Sequence, residues 1–251
     1  MAISVPSTSS TTFTSSPIVI TKPTGLAVGD IMVCHLGFVP ASFLSAITPP
    51  SGWAYVTGSS LSDSVLLYKV ADSSDVGATN FSFSFTGFGG ITGAGGILRV
   101  SDAFLPLLAT SSTDTDLGAS TTPTFTNTIT PLASDSLIIL AAAGDLSDNV
   151  VSTFTIATSN PTWTQAYQFN SATAGGRTVV CAYAIRSAAT ATGDSSFTGA
   201  DASGDWTGIL AAITPNRGPI NLYTWNGVTK STISTMNGTA LSAMDKWNDI
   251  T

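Results

Sequence analysis

One histidine, fifteen carboxylates and two thiols are what this 251-residue chain offers for metal binding or for acid–base chemistry near neutral pH. His35 lies between Cys34 and Leu36 in the apolar run Ile31 to Phe38. Its chemical reading is a general base or metal ligand; its plainer reading is a strand residue facing one side of a β-sandwich, and the apolar run favours the second. No G-x-S-x-G elbow supports a Ser-His-Asp triad, and one histidine cannot build a histidine cluster for zinc. The carboxylates pair at Asp72/Asp75, Asp114/Asp116 and Asp145/Asp148. A glycosidase acid needs surroundings that raise its pKa, which short Ser/Gly loops do not supply. Calcium suits such loops better, yet no EF-hand spacing is present. Turn and cap duty is the expectation for each pair. Gly93 to Gly96 is followed by no Lys-Ser/Thr, so it reads as a bend or bulge before Ile97 and not as a phosphate loop. Cys34 and Cys181 each sit in an apolar run; a disulfide stays open, but two buried free thiols are favoured. Trp53 and Trp163 could stack on sugars, although their matching positions favour a shared core role. The expectation is a non-enzymatic protein with no catalytic residue, cofactor or metal.

The elements that would carry these residues are strands. All fifteen acids are Asp, and charged residues make up 9%, against roughly 25% in average domains. Helices favour Glu, Lys and Arg, whereas Asp favours turns and caps. A net charge of −7 with eight Lys and Arg provides no nucleic-acid footprint and opposes docking on an anionic membrane. No apolar run is long enough for a spanning helix. The start, Met1 to Pro6, has neither a basic region nor an apolar stretch, so no secretory signal is expected.

Aligned against itself, the chain shows five landmarks repeated in order. Gly29-Asp30-Ile31 matches Ser134-Asp135-Ser136 at an offset of 105, and Trp53 matches Trp163 at 110. Val65 to Val70 matches Val180 to Ile185 at 115; Phe85-Thr86-Gly87 matches Phe197-Thr198-Gly199, and Gly96-Ile97-Leu98 matches Gly208-Ile209-Leu210, both at 112. Each unit reads as about six strands. Asn80 to Phe85 alternates as a half-buried strand, while Ile31 to Phe38 and Val65 to Val70 are continuously apolar and central. In the second unit strands are expected near 125–130, 137–142, 163–169, 178–185, 195–197 and 206–213. The fold class expected is all-β, with two tandem similar β-sandwich (jelly-roll-like) units and a short repetitive C-terminal hairpin arm. The units span 1–108 and 109–217, with the Ser/Thr/Asp-rich loop 109–122 as the joint, and the tail spans 218–251.

That tail repeats every 11 residues: Trp225-Asn226-Gly227, Met236-Asn237-Gly238 and Trp247-Asn248-Asp249. Asn-Gly between alternating apolar residues signals a hairpin turn, and Gly in the first two repeats opposes the helical reading of an 11-residue period. So short a segment cannot build a core alone. Trp225, Met236 and Trp247, with turn residues Asn226, Gly227, Asn237 and Gly238, are therefore the candidate interface, since Trp carries much of the binding energy in such contacts.

The order Pro23-x-Gly-Leu-x-x-Gly-Asp30, then Pro49-Pro-Ser-Gly-Trp53, then Tyr68-Lys69 resembles a domain of tailed-bacteriophage virion proteins. The Trp-Asn-Gly-Val steps of the tail resemble short repeats near the C-termini of phage tail and fibre proteins. The resemblance implies a structural role in the particle, as a tail or head fibre, spike or capsid decoration protein assembled in the bacterial cytoplasm, and no catalytic residues. Its partners would be other virion proteins and further copies of the chain. The second unit departs from it, with Asn160-Pro161-Thr162-Trp163 in place of Pro-Pro-Ser-Gly-Trp. The residues agree independently: a charge-poor chain rich in apolar side chains suits a part that assembles many times. The alternative is a carbohydrate-binding or adhesive module that recognises a host-surface glycan.

Overall fold

Runs of alternating or continuously apolar residues between Gly, Pro and Ser/Asp turns become strands throughout the described residues. A computed structural model describes residues 2–39, 47–56, 64–85, 92–114, 122–145, 152–170, 177–198 and 206–216, together with 224–225, 228–229, 235–236 and 239–240. The chain divides into two compact bodies, 1–216 and 217–251. In the first half of the larger body the strands are β1 (Ser4–Phe13), β2 (Ile18–Thr21), β3 (Ile31–Val39), β4 (Ile47–Thr48), β5 (Ala54–Tyr55), β6 (Ser64–Val70), β7 (Asn80–Phe85) and β8 (Thr92–Ser101). A single five-residue helix, α1 (Ser73–Gly77), joins β6 to β7. The second half holds β9 (Ala103–Asp114), β10 (Thr124–Phe125), β11 (Ser136–Asp145), β12 (Ser152–Ile156), β13 (Thr164–Asn170), β14 (Arg177–Arg186), β15 (Ser195–Thr198) and β16 (Trp206–Pro215).

The first half pairs into a five-stranded antiparallel sheet, β1-β8-β3-β6-β5, and a three-stranded one, β2-β7-β4. The second half pairs as β9-β16-β11-β14-β13 and β10-β15-β12. Adding eight to each strand number of the first pair of sheets gives the second pair. Three apolar layers result. The central one lies between the two five-stranded sheets and joins Ile31, Val33, Leu66 and Leu98 to Leu137, Ile139, Cys181 and Ile213. One outer layer packs Met32, Leu36 and Leu67 against Ile18, Phe81 and Phe83; the other packs Ile138, Leu140 and Leu210 against Phe125, Phe154 and Phe197. Strands β3, β11 and β16 are therefore buried on both faces, which is why their sequences are apolar at consecutive positions and lack a period of two.

The sheets approach closely because small residues line the central layer. A Cβ on Gly37 would meet the Val179 side chain and, at 2.9 Å, the Cβ of Ala143. Ile31 pairs with Val100 near the end of β8, and Leu137 pairs with Ile213 near the end of β16. Pro215 pairs with Ala103, and Asp102 alone joins β8 to β9, so β3 and β11 start at the same end and run in the same direction. The start of β3, the end of β6, the start of β11 and the end of β14 thus share one end of the body. Asp102, with φ +55°, turns the chain there directly from β8 into β9. Its carbonyl accepts a 2.6 Å hydrogen bond from the Asn216 amide, so the body's last residue lies at the same end.

Several expectations change. Residues 103–114 form a strand hydrogen-bonded to β16; the Ser/Thr-rich stretch expected as a joint is, over its described part, the edge of the second sheet, where few side chains need full burial. That edge begins at Ala103, before the expected boundary at 108/109. The Ser/Thr-rich β1 is likewise an edge strand, paired with β8. Gly93 to Gly96 form no bulge but lie in regular β8 between β1 and β3. Side chains there would collide: at Gly95 with the His35 carbonyl at 2.7 Å, and at Gly96 with the Ser9 carbonyl at 2.7 Å. The strand expected over 125–130 is only Thr124–Phe125.

Strand register also corrects the internal alignment. Val33 pairs with Tyr68 and Leu98, whereas Ile139 pairs with Tyr183 and Ala211. With Tyr68 laid on Tyr183, β3 meets β11 at an offset of 106 and β8 meets β16 at 113, each one more than the sequence alignment assigns. A slip of one residue moves every side chain to the opposite face. Only the corrected offsets put central-layer residues on central-layer residues, Val33 with Ile139 and Leu98 with Ala211. They also expose a reciprocal exchange. Phe38 faces Gly93 in one half, and Gly144 faces Trp206 in the other. Both bulky rings meet a phenylalanine edge-on: Phe38 with Phe85 at 5.3 Å and Trp206 with Phe197 at 4.8 Å.

In the smaller body, β17 (Thr224–Trp225) pairs with β18 (Val228–Thr229), and β19 (Thr235–Met236) with β20 (Thr239–Ala240). Of the candidate interface residues, Trp225 and Met236 occupy matching places in these hairpins. Asn226, Gly227, Asn237, Gly238 and Trp247 lie outside the described residues.

Candidate functional site

The chain's one histidine sits where the two five-stranded sheets meet. His35 projects from β3 into the central interface and is fully buried. Its Nε2 lies 2.7 Å from Ser64 Oγ at the start of β6, and its Nδ1 lies 3.2 Å from the Tyr167 hydroxyl on β13 of the opposite sheet. The same hydroxyl lies 3.4 Å from the His35 carbonyl, to which it can donate. A serine hydrogen-bonded to an imidazole has the outline of a nucleophile and its base. Here no carboxylate orients the imidazole, and Ser64 is as buried as His35. Burial lowers the His35 pKa to about 3, so the ring is neutral, and burial holds the Tyr167 hydroxyl well above its ordinary value. What this cluster does is tie the two sheets together through a satisfied polar contact.

The thiols flank the same region. Cys34 and Cys181 are free and buried. Cys34 points into the first outer layer and Cys181 into the central one. Burial pushes Cys181 up to about 12 and raises Cys34 as well, which keeps both thiols protonated and unreactive.

The motif residues serve the backbone. Gly29, at φ +91°, ends the turn before β3. Asp30 Oδ2 accepts from the Ala27 amide at 2.8 Å and from Arg99 Nε at 2.6 Å. Asp72 is the N-cap of α1 and Asp75 completes a capping box, with Lys69 Nζ held 2.7 Å from Asp75 and 3.2 Å from Asp72. The Ser74 hydroxyl, first among several donors, lowers the Asp72 pKa. The side chains of Asp114, Asp116, Asp145 and Asp148 lie outside the described residues. Among the described residues no three His, Cys or Asp side chains gather as a metal site. Buried Arg186 gave no signal in the sequence; its guanidinium donates to the carbonyls of Ala188, Thr190, Ala191 and Thr158, drawing the 187–192 loop together.

The two matched tryptophans part company. Trp53 is 7% exposed, edge-on to Phe81 and Phe83 at 5.5 and 5.2 Å. Trp163 is only half-buried, against Phe154 at 6.1 Å. Its Nε1–H donates to Asn160 Oδ1 at 2.9 Å, and the Ile156 amide donates to the same oxygen at 3.0 Å. Open hollows of about 470 and 360 Å³ lie on either side of Pro161. No protein-family model, curated protein or solved structure matches the chain. The geometry therefore stands alone. It offers one sealed polar cluster at the centre, an open aromatic rim at Trp163, and an apolar end. At the end where Asn216 lies, Val28 is 67%, Phe104 63% and Leu132 59% exposed, beside half-exposed Val70 and Ile185.

Proposed function

We propose that this chain is a non-enzymatic structural component of a bacteriophage virion, of the fibre, spike or decoration kind. In this reading the larger body comprises two copies of one β-sandwich unit, and the C-terminal tail is an assembly or attachment device. The observation that carries it is the apolar end. Five of the seven large apolar side chains that stand exposed among the described residues belong to strand ends and turns at that end, contributed by both halves. Water-exposed apolar patches of this kind mark interaction surfaces. Low charge supports the same reading, since few charges oppose close packing of many copies. The copy relationship is supported by the shared strand order and by the Phe38/Gly93 and Gly144/Trp206 exchange, in which one ring volume is supplied from alternate strands.

The test is a chain ending at Arg217. It is expected to retain the folded body, seen by circular dichroism, while losing oligomerisation in sedimentation velocity or occupancy on particles made by the encoding genome. Unchanged assembly and occupancy would overturn the role given to the tail. Absence of the full chain from purified particles would overturn the virion reading itself.

A further inference from the structure

We propose that the rim around Trp163 is a binding site for a neutral oligosaccharide. The inference does not need the virion reading, although the larger hollow shares Ile185 with the apolar end.

The first ground is the contrast between matched tryptophans. Tyr68 pairs with Ala54 and Tyr183 with Thr164, so Trp53 and Trp163 occupy the same place before their strands. One fills a core and the other leaves part of its ring in water. The second indole packs on the outer layer through Phe154, and what that packing leaves uncovered is part of its ring. The second ground is that the ring is held ready. The bond from Nε1 to Asn160 Oδ1, and that oxygen's further bond from the Ile156 amide, fix the loop against β12. Both of these bonds use the Asn160 oxygen, so the amide's Nδ2 donors are what it has left for a ligand. A platform fixed before binding loses little entropy on binding.

The third ground is the chemistry of the lining. The two hollows meet at Pro161; one takes in Thr162, Thr164 and Tyr183, the other Phe154, Trp163 and Gln165. Among the described residues no charged side chain lines either. A phosphate, sulfate or carboxylate would meet no cation among those lining residues. A purely apolar ligand would leave the amides and hydroxyls unpaired. A pyranose meets both demands, because its C–H face lies on an aromatic ring while its hydroxyls meet amides and hydroxyls at the edge. Two adjoining hollows of this size, within the usual range of roughly 300–1,000 Å³ for ligand sites, suit more than one sugar ring.

The experiment is an amide-shift titration of the ¹⁵N-labelled full chain with cellohexaose, maltohexaose and chitohexaose, each at millimolar concentration, repeated on Trp163→Ala and Gln165→Ala. At least one oligosaccharide is expected to shift the Trp163 indole signal and amides within 153–165 and 183–187. Trp163→Ala should weaken that binding about tenfold or more, equivalent to about 1.4 kcal/mol. Gln165→Ala changes an exposed strand position and should weaken it several-fold with an unchanged spectrum elsewhere. Should Trp163→Ala fail to fold, the shift map and Gln165→Ala decide. No shift with any of the three sugars, shifts confined to other surfaces, or wild-type affinity in the folded variants would overturn the proposal.

Discussion

Replacing His35 with glutamine should remove a stretch of acid sensitivity from the folded protein. In the native state the ring is sealed between two sheets and its pKa falls to about 3, from an ordinary value of 6.5. Its neutral form is therefore favoured by folding. The stabilisation is fully present above the unfolded value and is lost as pH falls, because the unfolded chain takes up a proton that the folded chain refuses. The loss runs from about pH 6.5 down to about 3, at about 1.4 kcal/mol per pH unit. Between pH 7.5 and 4.5 that amounts to about 2.7 kcal/mol for this one group. Aspartates titrate in wild type and variant alike, so the difference between the two profiles isolates His35. The assay is urea unfolding followed by tryptophan fluorescence at pH 7.5, 6.5, 5.5 and 4.5. His35→Gln is expected to be less stable at pH 7.5 by about 1–3 kcal/mol, since Ser64 and Tyr167 lose a well-placed partner. The gap should then shrink by about 2.7 kcal/mol by pH 4.5, so that it closes on the way and reverses where it began small. Parallel profiles would refute the reasoning, because they would mean that the imidazole titrates in the folded protein much as it does in water.

Three further outcomes follow from the packing. Gly37→Val should destabilise the body by about 1–3 kcal/mol in the same unfolding assay, because its side chain must displace Val179 and Ala143 across the central interface. Trp53→Ala should cost about 3–5 kcal/mol and Trp163→Ala clearly less, since one ring is in the core and the other on the rim; equal losses would erase the distinction drawn between them. Cys34 and Cys181 should resist a thiol reagent at pH 8 in the native protein and both react in denaturant, as buried protonated thiols do. Rapid native labelling of either would contradict their placement.

Much of this protein is decided by local sequence. Alternation in Asn80 to Phe85 marks β7 as a half-buried strand before its partners β2 and β4 are known. Asp72 and Asp75 are spaced to cap a helix, and a short one forms there. Each Asn-Gly pair in the tail stands between positions that do pair, Trp225 with Val228 and Met236 with Thr239. These features depend on neighbours a few residues away, so the order of residues suffices to fix them.

What lies between layers was beyond that reach. A strand buried on both faces is apolar at every position, so β3 and β11 carry no period to say which residue faces inward; the hydrogen-bonded partners of Tyr68 and Tyr183 decide it. The polar Ser/Thr edges of β1 and β9 look like linkers until a neighbouring sheet gives their backbones a partner. His35 and Tyr167 are 132 residues apart, and no spacing rule links them. Trp53 and Trp163 are alike in sequence yet unlike in exposure, because burial depends on what the rest of the chain lays over each ring. Faces, edges and exposure are properties of layers meeting in space, and they come into being only when the sheets close on one another.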